Sequence, residues 1–234
     1  MDDDEPQTYQ LHISAGRENT STFRRVLKGS FPKTIIGTVL DIKVHFGIGK
    51  VAEMIRIYWR RDLKDNRLAS YSIQEIESYL AQLFTSIDIP VRQFQQELVV
   101  DMHRARATGP HRFRDGPPRA DWVWIRTGAS HAYGSLRGHL PCRLCCLFKL
   151  RIPFTGEVQR LAIVAMIRAE SGGQPDKHHG LVSVSERDWQ AEQGLWVVNI
   201  RSLVAMAHLI PQCGKTTWYF VNSRINLWTF NMFY

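Results

Sequence analysis

Cys142-Arg143-Leu144-Cys145-Cys146 is the densest group of metal-ligand types in the chain, and His178, His179, His208 and Cys213 follow it. Thiolates and imidazoles bind zinc when four of them converge tetrahedrally. The local spacing opposes that. Residues 142 to 152 read as a strand, so Cys142 and Cys145 fall on opposite faces, and no Gly or polar knuckle separates them. These thiols are expected to be reduced and metal-free, packed as small apolar groups in a core strand.

Three other arrangements invite chemistry. Gly214-Lys215-Thr216-Thr217 matches the end of a phosphate-binding loop, but the pattern needs Gly where Leu209 stands. Gly47-Ile48-Gly49-Lys50 has Val44 at the first Gly position and Val51 in place of a hydroxyl, so both segments read as turns. A two-metal nuclease needs three converging carboxylates, the first on a central strand. Asp41 occupies the best strand candidate, with Asp101, Asp121, Glu157 and Glu186 as available partners, yet nothing fixes their spacing. Ser130-His131 sits in Gly128-Ala129-Ser130-His131-Ala132 without the strand-turn-helix context of a nucleophile elbow and reads as loop. No catalytic residue, metal or cofactor is expected.

Charge and aromatic side chains remain. Between Val100 and Arg151 there are ten Lys and Arg against three acids, and four of the nine His. On a strand from Asp121 to Arg126, Val123 and Ile125 share one face while Trp122, Trp124 and Arg126 share the other. That second face is the expected base-stacking surface, with Arg104, Arg106, Arg112, Arg114 and Arg119 holding phosphates along the approach. The bland alternative covers both Trp with a neighbouring layer and leaves the arginines on a solvated loop. Exposure of the two indoles separates these readings.

Several elements must position those residues. Residues 1–22 are polar without sustained period and are expected to form a loose arm. The β-branched run Thr34 to Phe46 reads as strand. Val51, Met54, Ile55 and Tyr58 fall at helical spacing, as do Ile73, Ile76, Tyr79, Leu80 and Leu83, the second set preceded by Ser72 and Glu75 in a capping-box pattern. Pro90 interrupts, residues 91 to 106 are helix or extended, and Gly109 to Pro118 is a basic loop. Beyond it, residues 121–126, 142–152, 159–168, 180–185 and 195–200 read as short strands, with Ser171 to Asp176 the clearest turn. A final helix is expected from about Asn226, burying Phe230 and Phe233.

Leu209-Ile210-Pro211, preceded by Ala207-His208, then Trp218-Tyr219 and Val221-Asn222-Ser223-Arg224-Ile225, then Phe230, resembles the C-terminal region of Plavaka-type transposon proteins of basidiomycete fungi, which are CACTA-related. Arg160 to Val164, Phe113 to Ile125 and Arg56-Ile57-Tyr58-Trp59 are similar to further motifs of that family in the same order, so the resemblance spans roughly residues 40 to 234. Ala120 stands where the family has Tyr, and Asn226 where its tail has Asp. The resemblance implies a fungal, transposon-derived chain whose family counterpart lies downstream of a nuclease core, and therefore a protein expected to lack that core.

The chain has 234 residues, 44% hydrophobic and 22% charged, with net charge +8 and pI near 9.5. That is enough to bury a sizeable core and to attract a polyanion. No signal-peptide pattern opens the sequence and no apolar run approaches the roughly 20 residues of a membrane span, so an intracellular and, given the charge, nuclear protein is expected. The expected fold is α+β: an N-terminal strand and amphipathic helices, residues 23–110, followed by a β-rich small barrel or sandwich-like module, residues 111–234, with a C-terminal helix. The expected function is non-catalytic binding of DNA, RNA or chromatin. A protein-interaction module, or a reading frame without selected function, is the alternative.

Overall fold

A computed structural model describes residues 10–11, 21–22, 25–30, 37–92, 100–107, 120–126, 139–152, 154–169, 176–177, 181–185, 194–215 and 217–222. Two short strands, β1 (Gln10–Leu11) and β2 (Ser21–Thr22), pair antiparallel within the segment expected to be a loose arm. Strand β3 (Val26–Ser30) leads to the helical layer, made of α1 (Val39–Phe46), α2 (Val51–Arg61), α3 (Asn66–Ala69) and α4 (Ile73–Glu77).

The expected strand over residues 34 to 46 is corrected: from Val39 onward it is α1. Its start is fixed by Asp41, whose Oδ2 accepts from the amides of Gly37 and Thr38 at 2.8 Å each. Val39, Ile42 and Phe46 are buried at helical spacing while Leu40 and Val44 are exposed, so the β-branched content yields to a capped, one-faced helix. Gly47, at φ 64°, ends it in the left-handed conformation that glycine tolerates. Helix α2 follows the expected pattern and buries Val51, Met54, Ile55, Tyr58 and Trp59. The capping box of α4 is present: Ser72 Oγ accepts from the Glu75 amide at 3.2 Å and Glu75 Oε2 accepts from the Ser72 amide at 2.7 Å. That helix stops at Glu77, however, and Leu80 and Leu83 do not continue it.

From there the chain is β: β4 (Ala81–Arg92), β5 (Val100–Arg106), β6 (Trp122–Arg126), β7 (His139–Arg151), β8 (Val158–Met166), β9 (Arg168–Ala169), β10 (Val182–Ser185), β11 (Leu195–Asn199), β12 (Leu203–Met206), β13 (Leu209–Pro211) and β14 (Trp218–Val221). Pro90 does not interrupt β4; it lies within it, opposite Met102 of β5. An eight-stranded antiparallel sheet runs β11-β8-β7-β4-β3, with β5 on β4 and the pair β6-β12 on β7. A four-stranded sheet runs β13-β14-β10-β9. The fold is therefore α+β and mostly antiparallel β. The barrel alternative is corrected, because among the described residues no ladder joins β5 to β12. The Met206 amide instead donates to His103 Nδ1 at 3.2 Å, and Arg25 Nε donates to the Leu203 carbonyl at 2.7 Å.

Two cores meet in the large sheet. Ile42, Ile55, Trp59 and Ile76 of the helices pack on Leu83, Phe148, Leu150, Leu161 and Ile163. Ile87, Ile89, Trp124, Leu144, Val164 and Leu203 share the second core with Val184 and Val221 of the small sheet. Each such side chain, fully buried, contributes roughly 1.5–3 kcal/mol. Because β7 and β8 feed both cores, one sheet and its packing run across the expected division near residue 110. The expected C-terminal helix and the turn at 171–175 lie outside the described residues.

Candidate nucleic-acid interface

Strand β6 forms where expected, but its burial corrects the stacking surface. Trp124 lies between Pro141 of β7 and Ala205 of β12 and is completely buried, so it offers no face to a base. Trp122 is half-buried, 5.3 Å from the Tyr219 ring, with the Arg143 guanidinium 5.8 Å from its own ring. Arg126 is exposed at the end of the strand, opposite His139. The second sheet covers this face, which is the arrangement a large apolar ring requires.

The arginines divide. Arg104 and Arg106 lie on β5, exposed. Arg112, Arg114 and Arg119 lie outside the described residues, in a segment whose ends are brought together by the bridge between Ala107 and Ala120. Asp121 sits at that junction and accepts from the Arg106 amide at 2.8 Å.

Strand register then groups cations in a way that the linear sequence does not show. Residues directly opposite one another on neighbouring strands share a face. Ser86 of β4 is opposite Lys28 on one side and Arg106 on the other, and Asp88 is opposite Arg104. Four residues back from Ser86 on the same strand, Gln82 is opposite Lys149, which is opposite Arg160, and Arg151 is opposite Val158. Alternate residues of a strand point to opposite sides. Gln82 neighbours Leu83 of the helical core, whereas Ser86 and Asp88 flank Ile87 and Ile89 of the sheet–sheet core, so the two ends of β4 present their polar residues on opposite faces and the cations form two groups: Lys28, Arg104 and Arg106 around Asp88, and Lys149, Arg151 and Arg160 beside Gln82. All are exposed except half-buried Lys149, whose Nζ lies 4.7 Å from the Phe84 ring centroid.

A buried carboxylate lies in the first of these groups. Asp88 is 6% exposed, accepts from Arg104 Nε at 2.7 Å and Nη2 at 3.3 Å, and pairs with Lys28. The Arg104 bonds, more than Lys28, hold its carboxyl below the ordinary value, while burial pushes the other way. A depressed folded-state value means a stabilisation that is present above the unfolded carboxyl value of about 3.9 and lost as pH falls through the lower folded one. Asp88→Asn should therefore melt below wild type at neutral pH, with the gap narrowing below about pH 4.

The remaining candidates resolve locally. Asp41 and Asp121 bond backbone amides, and Glu157 is exposed on the β7–β8 turn. Asp101 lies on β5; Glu186, Ser130, His131, His178 and His179 lie outside the described residues. Gly214 and Lys215 form a turn, with Lys215 Nζ 4.4 Å from the Trp218 ring. A register shift between Leu144 and Cys146 in the β7–β8 ladder sends Cys142 and Leu144 into the sheet–sheet core and Cys146 and Phe148 into the helical one. Burial pushes the Cys142 and Cys146 thiols well above the ordinary value, which suppresses the reactive thiolate. A chromogenic disulfide reagent should therefore titrate exposed Cys213 in the folded protein and reach Cys142 and Cys146 only with denaturant.

Among the described residues no group of three or more His, Cys, Asp or Glu converges as metal ligands, and no helix is long and apolar enough to cross a membrane. No family model, curated protein or solved structure matches the chain.

Proposed function

We propose that this chain is a transposon-derived, non-catalytic protein that binds nucleic acid through its phosphate backbone, which would place it in the nucleus if DNA is the partner. The motifs shared with Plavaka-type proteins support the origin. The observation that carries the binding is that strand pairing gathers cations into two groups on the large sheet, Lys28, Arg104 and Arg106 around Asp88, and Lys149, Arg151 and Arg160 beside Gln82. Arg104 and Arg106 are the proposed phosphate contacts of the first group, and Ala107 and Ala120, which flank the segment holding Arg112, Arg114 and Arg119, are bridged beside Arg106. Rigid strands hold these cations at fixed spacing, as phosphate contacts require. Trp124 has no part in this interface, and Trp122 lies beyond its core.

The test is binding across a salt series to a duplex of mixed sequence. Wild type should weaken steeply with salt. Changing Arg106, Arg151 and Arg160 together to Gln should lower affinity alike for all sequences and flatten the logarithmic salt slope by roughly three units or less. The same charge removed from the helical layer, at Arg60, Lys64 and Arg67, should have a much smaller effect. Equal affinity of wild type and the sheet-face variant at low salt would discard nucleic-acid binding and leave a protein-interaction module, or no selected function, as the better account.

A further inference from the structure

The two cation groups point to opposite sides of the large sheet. Arg104 and Arg106 flank Ala105 of the sheet–sheet core, and Lys28 follows Leu27, which packs against that core, so all three side chains point to the reverse side. Lys149 stands between Phe148 and Leu150 of the helical core, and Arg151 between Leu150 and Ile152. Arg160 stands between Leu161 of that core and Gln159, whose Oε1 accepts from Trp59 Nε1 at 2.9 Å. The second group therefore points away from the helices, to the side on which Val182, Val184 and Val221 of the small sheet pack. A layer of strands separates the two groups.

Each group is held by its own partners. Asp88 accepts from Arg104 Nε at 2.7 Å and pairs with Lys28, which fixes both around one buried carboxylate, and Arg106 stands beside them across Ser86. On the other side Lys149 Nζ lies 4.7 Å from the Phe84 ring centroid, with Arg160 directly opposite it and exposed Arg151 two residues further along β7. Glu157, the acid of the turn between these strands, alternates with Val158 onto the Gln159 side, which faces the helices. Positive charge is thus presented on both sides of the sheet.

A duplex is stiff over about 150 base pairs, so one lying along either group cannot fold round the sheet onto the other. Two segments can approach from the two sides. We infer that the chain holds two duplex segments at once, one against Lys28, Arg104 and Arg106 and the other against Lys149, Arg151 and Arg160, and so bridges them. This rests on the phosphate binding proposed above. Phosphate contacts carry no sequence information, so the two segments need not be alike.

The test is retention of a fluorescent duplex on beads that carry a second, unlabelled duplex, at low salt and with protein scarcer than either duplex. Sedimentation of the complex formed in solution counts duplexes per chain. Wild type should retain the label and sediment, with duplex in excess, as one chain carrying two duplexes. Lys28→Gln with Arg106→Gln, and separately Arg151→Gln with Arg160→Gln, should each bind one duplex per chain and lose retention. If the first pair does not fold, Arg106→Glu alone takes its place. Binding of a single duplex by wild type, without retention, would overturn bridging and leave phosphate binding standing. Retention that survives the loss of either group would also overturn it, because contact between chains would then link the duplexes. Failure of wild type to bind any duplex would overturn both.

Discussion

Ending the chain after Pro211 should abolish cooperative unfolding. The cut removes β14, the central strand of the small sheet, which pairs with β10 over four residues and with β13 over three. Val221 is 1% exposed in the core shared with Trp124 and Val184, and Tyr219 covers Trp122. Burial of one such Val contributes roughly 1.5–3 kcal/mol. Each ladder hydrogen bond adds a net of about 1 kcal/mol. Their sum rivals the whole stability of an ordinary domain, about 5–15 kcal/mol. The truncated product should retain far-ultraviolet ellipticity, bind a hydrophobic dye and show no sharp thermal transition. A soluble product with a cooperative melt near that of wild type would show that the small sheet is not needed. The described part of the apolar tail enters the core unevenly: Val221 is buried, Leu209, Trp218 and Phe220 are half-buried, and Ile210 is exposed. Leu227, Phe230 and Phe233 lie outside the described residues.

Local signals were legible where one element used one period. Helix α2, the Ser72–Glu75 box and strands β6, β7, β8 and β11 follow directly from apolar spacing and turn residues. Ambiguity arose where two periods overlap. Ile73, Ile76, Tyr79, Leu80 and Leu83 satisfy a helical repeat, but Leu83, Ile87, Ile89 and Val91 also alternate with Gln82, Ser86 and Asp88. The chain resolves this at Ser78, whose amide turns back onto the carbonyls of Gln74 and Glu75. Residues 34 to 46 misled through β propensity, which is largely a statement about fit to a half-buried surface rather than an intrinsic backbone preference. Thr38 with Asp41 at N3 was the signal for a helix there.

The interface was half legible for a different reason. Arg104 and Arg106 announce themselves as part of a basic segment. Lys28 and Arg160 come from distant strands, and only pairing with β4 and β7 brings them alongside. Gln82, Ser86 and Asp88 interrupt the apolar run of β4, but neither the change of face between Leu83 and Ile87 nor the register can be read from a single strand. The extra residue at Cys145 is equally silent. Simple alternation places Cys142, Leu144 and Cys146 on one side, whereas the shift in the ladder separates Cys146 from the other two.

Replacing Trp124 by Ala should cost about 3–5 kcal/mol, because it deletes a fully buried ring at the centre of the sheet–sheet core and leaves a cavity that β7 and β12 cannot fill. In a chain of this length that corresponds to a fall in melting temperature of roughly 6–20 °C. Trp122→Ala should cost less, about 1–2 kcal/mol, since half-buried Trp122 packs on Tyr219 at the rim. The contrast separates structure from recognition at two neighbouring indoles that the sequence alone makes equivalent. Trp124→Phe keeps most of the buried volume and should bind nucleic acid as wild type does, with only a modest loss of stability. Calorimetry and the salt-series binding assay on the same three variants check both halves. If Trp124→Phe melted like wild type yet lost affinity for single strands selectively, Trp124 would belong to the binding surface after all, and the sheet covering it would have to open in the complex.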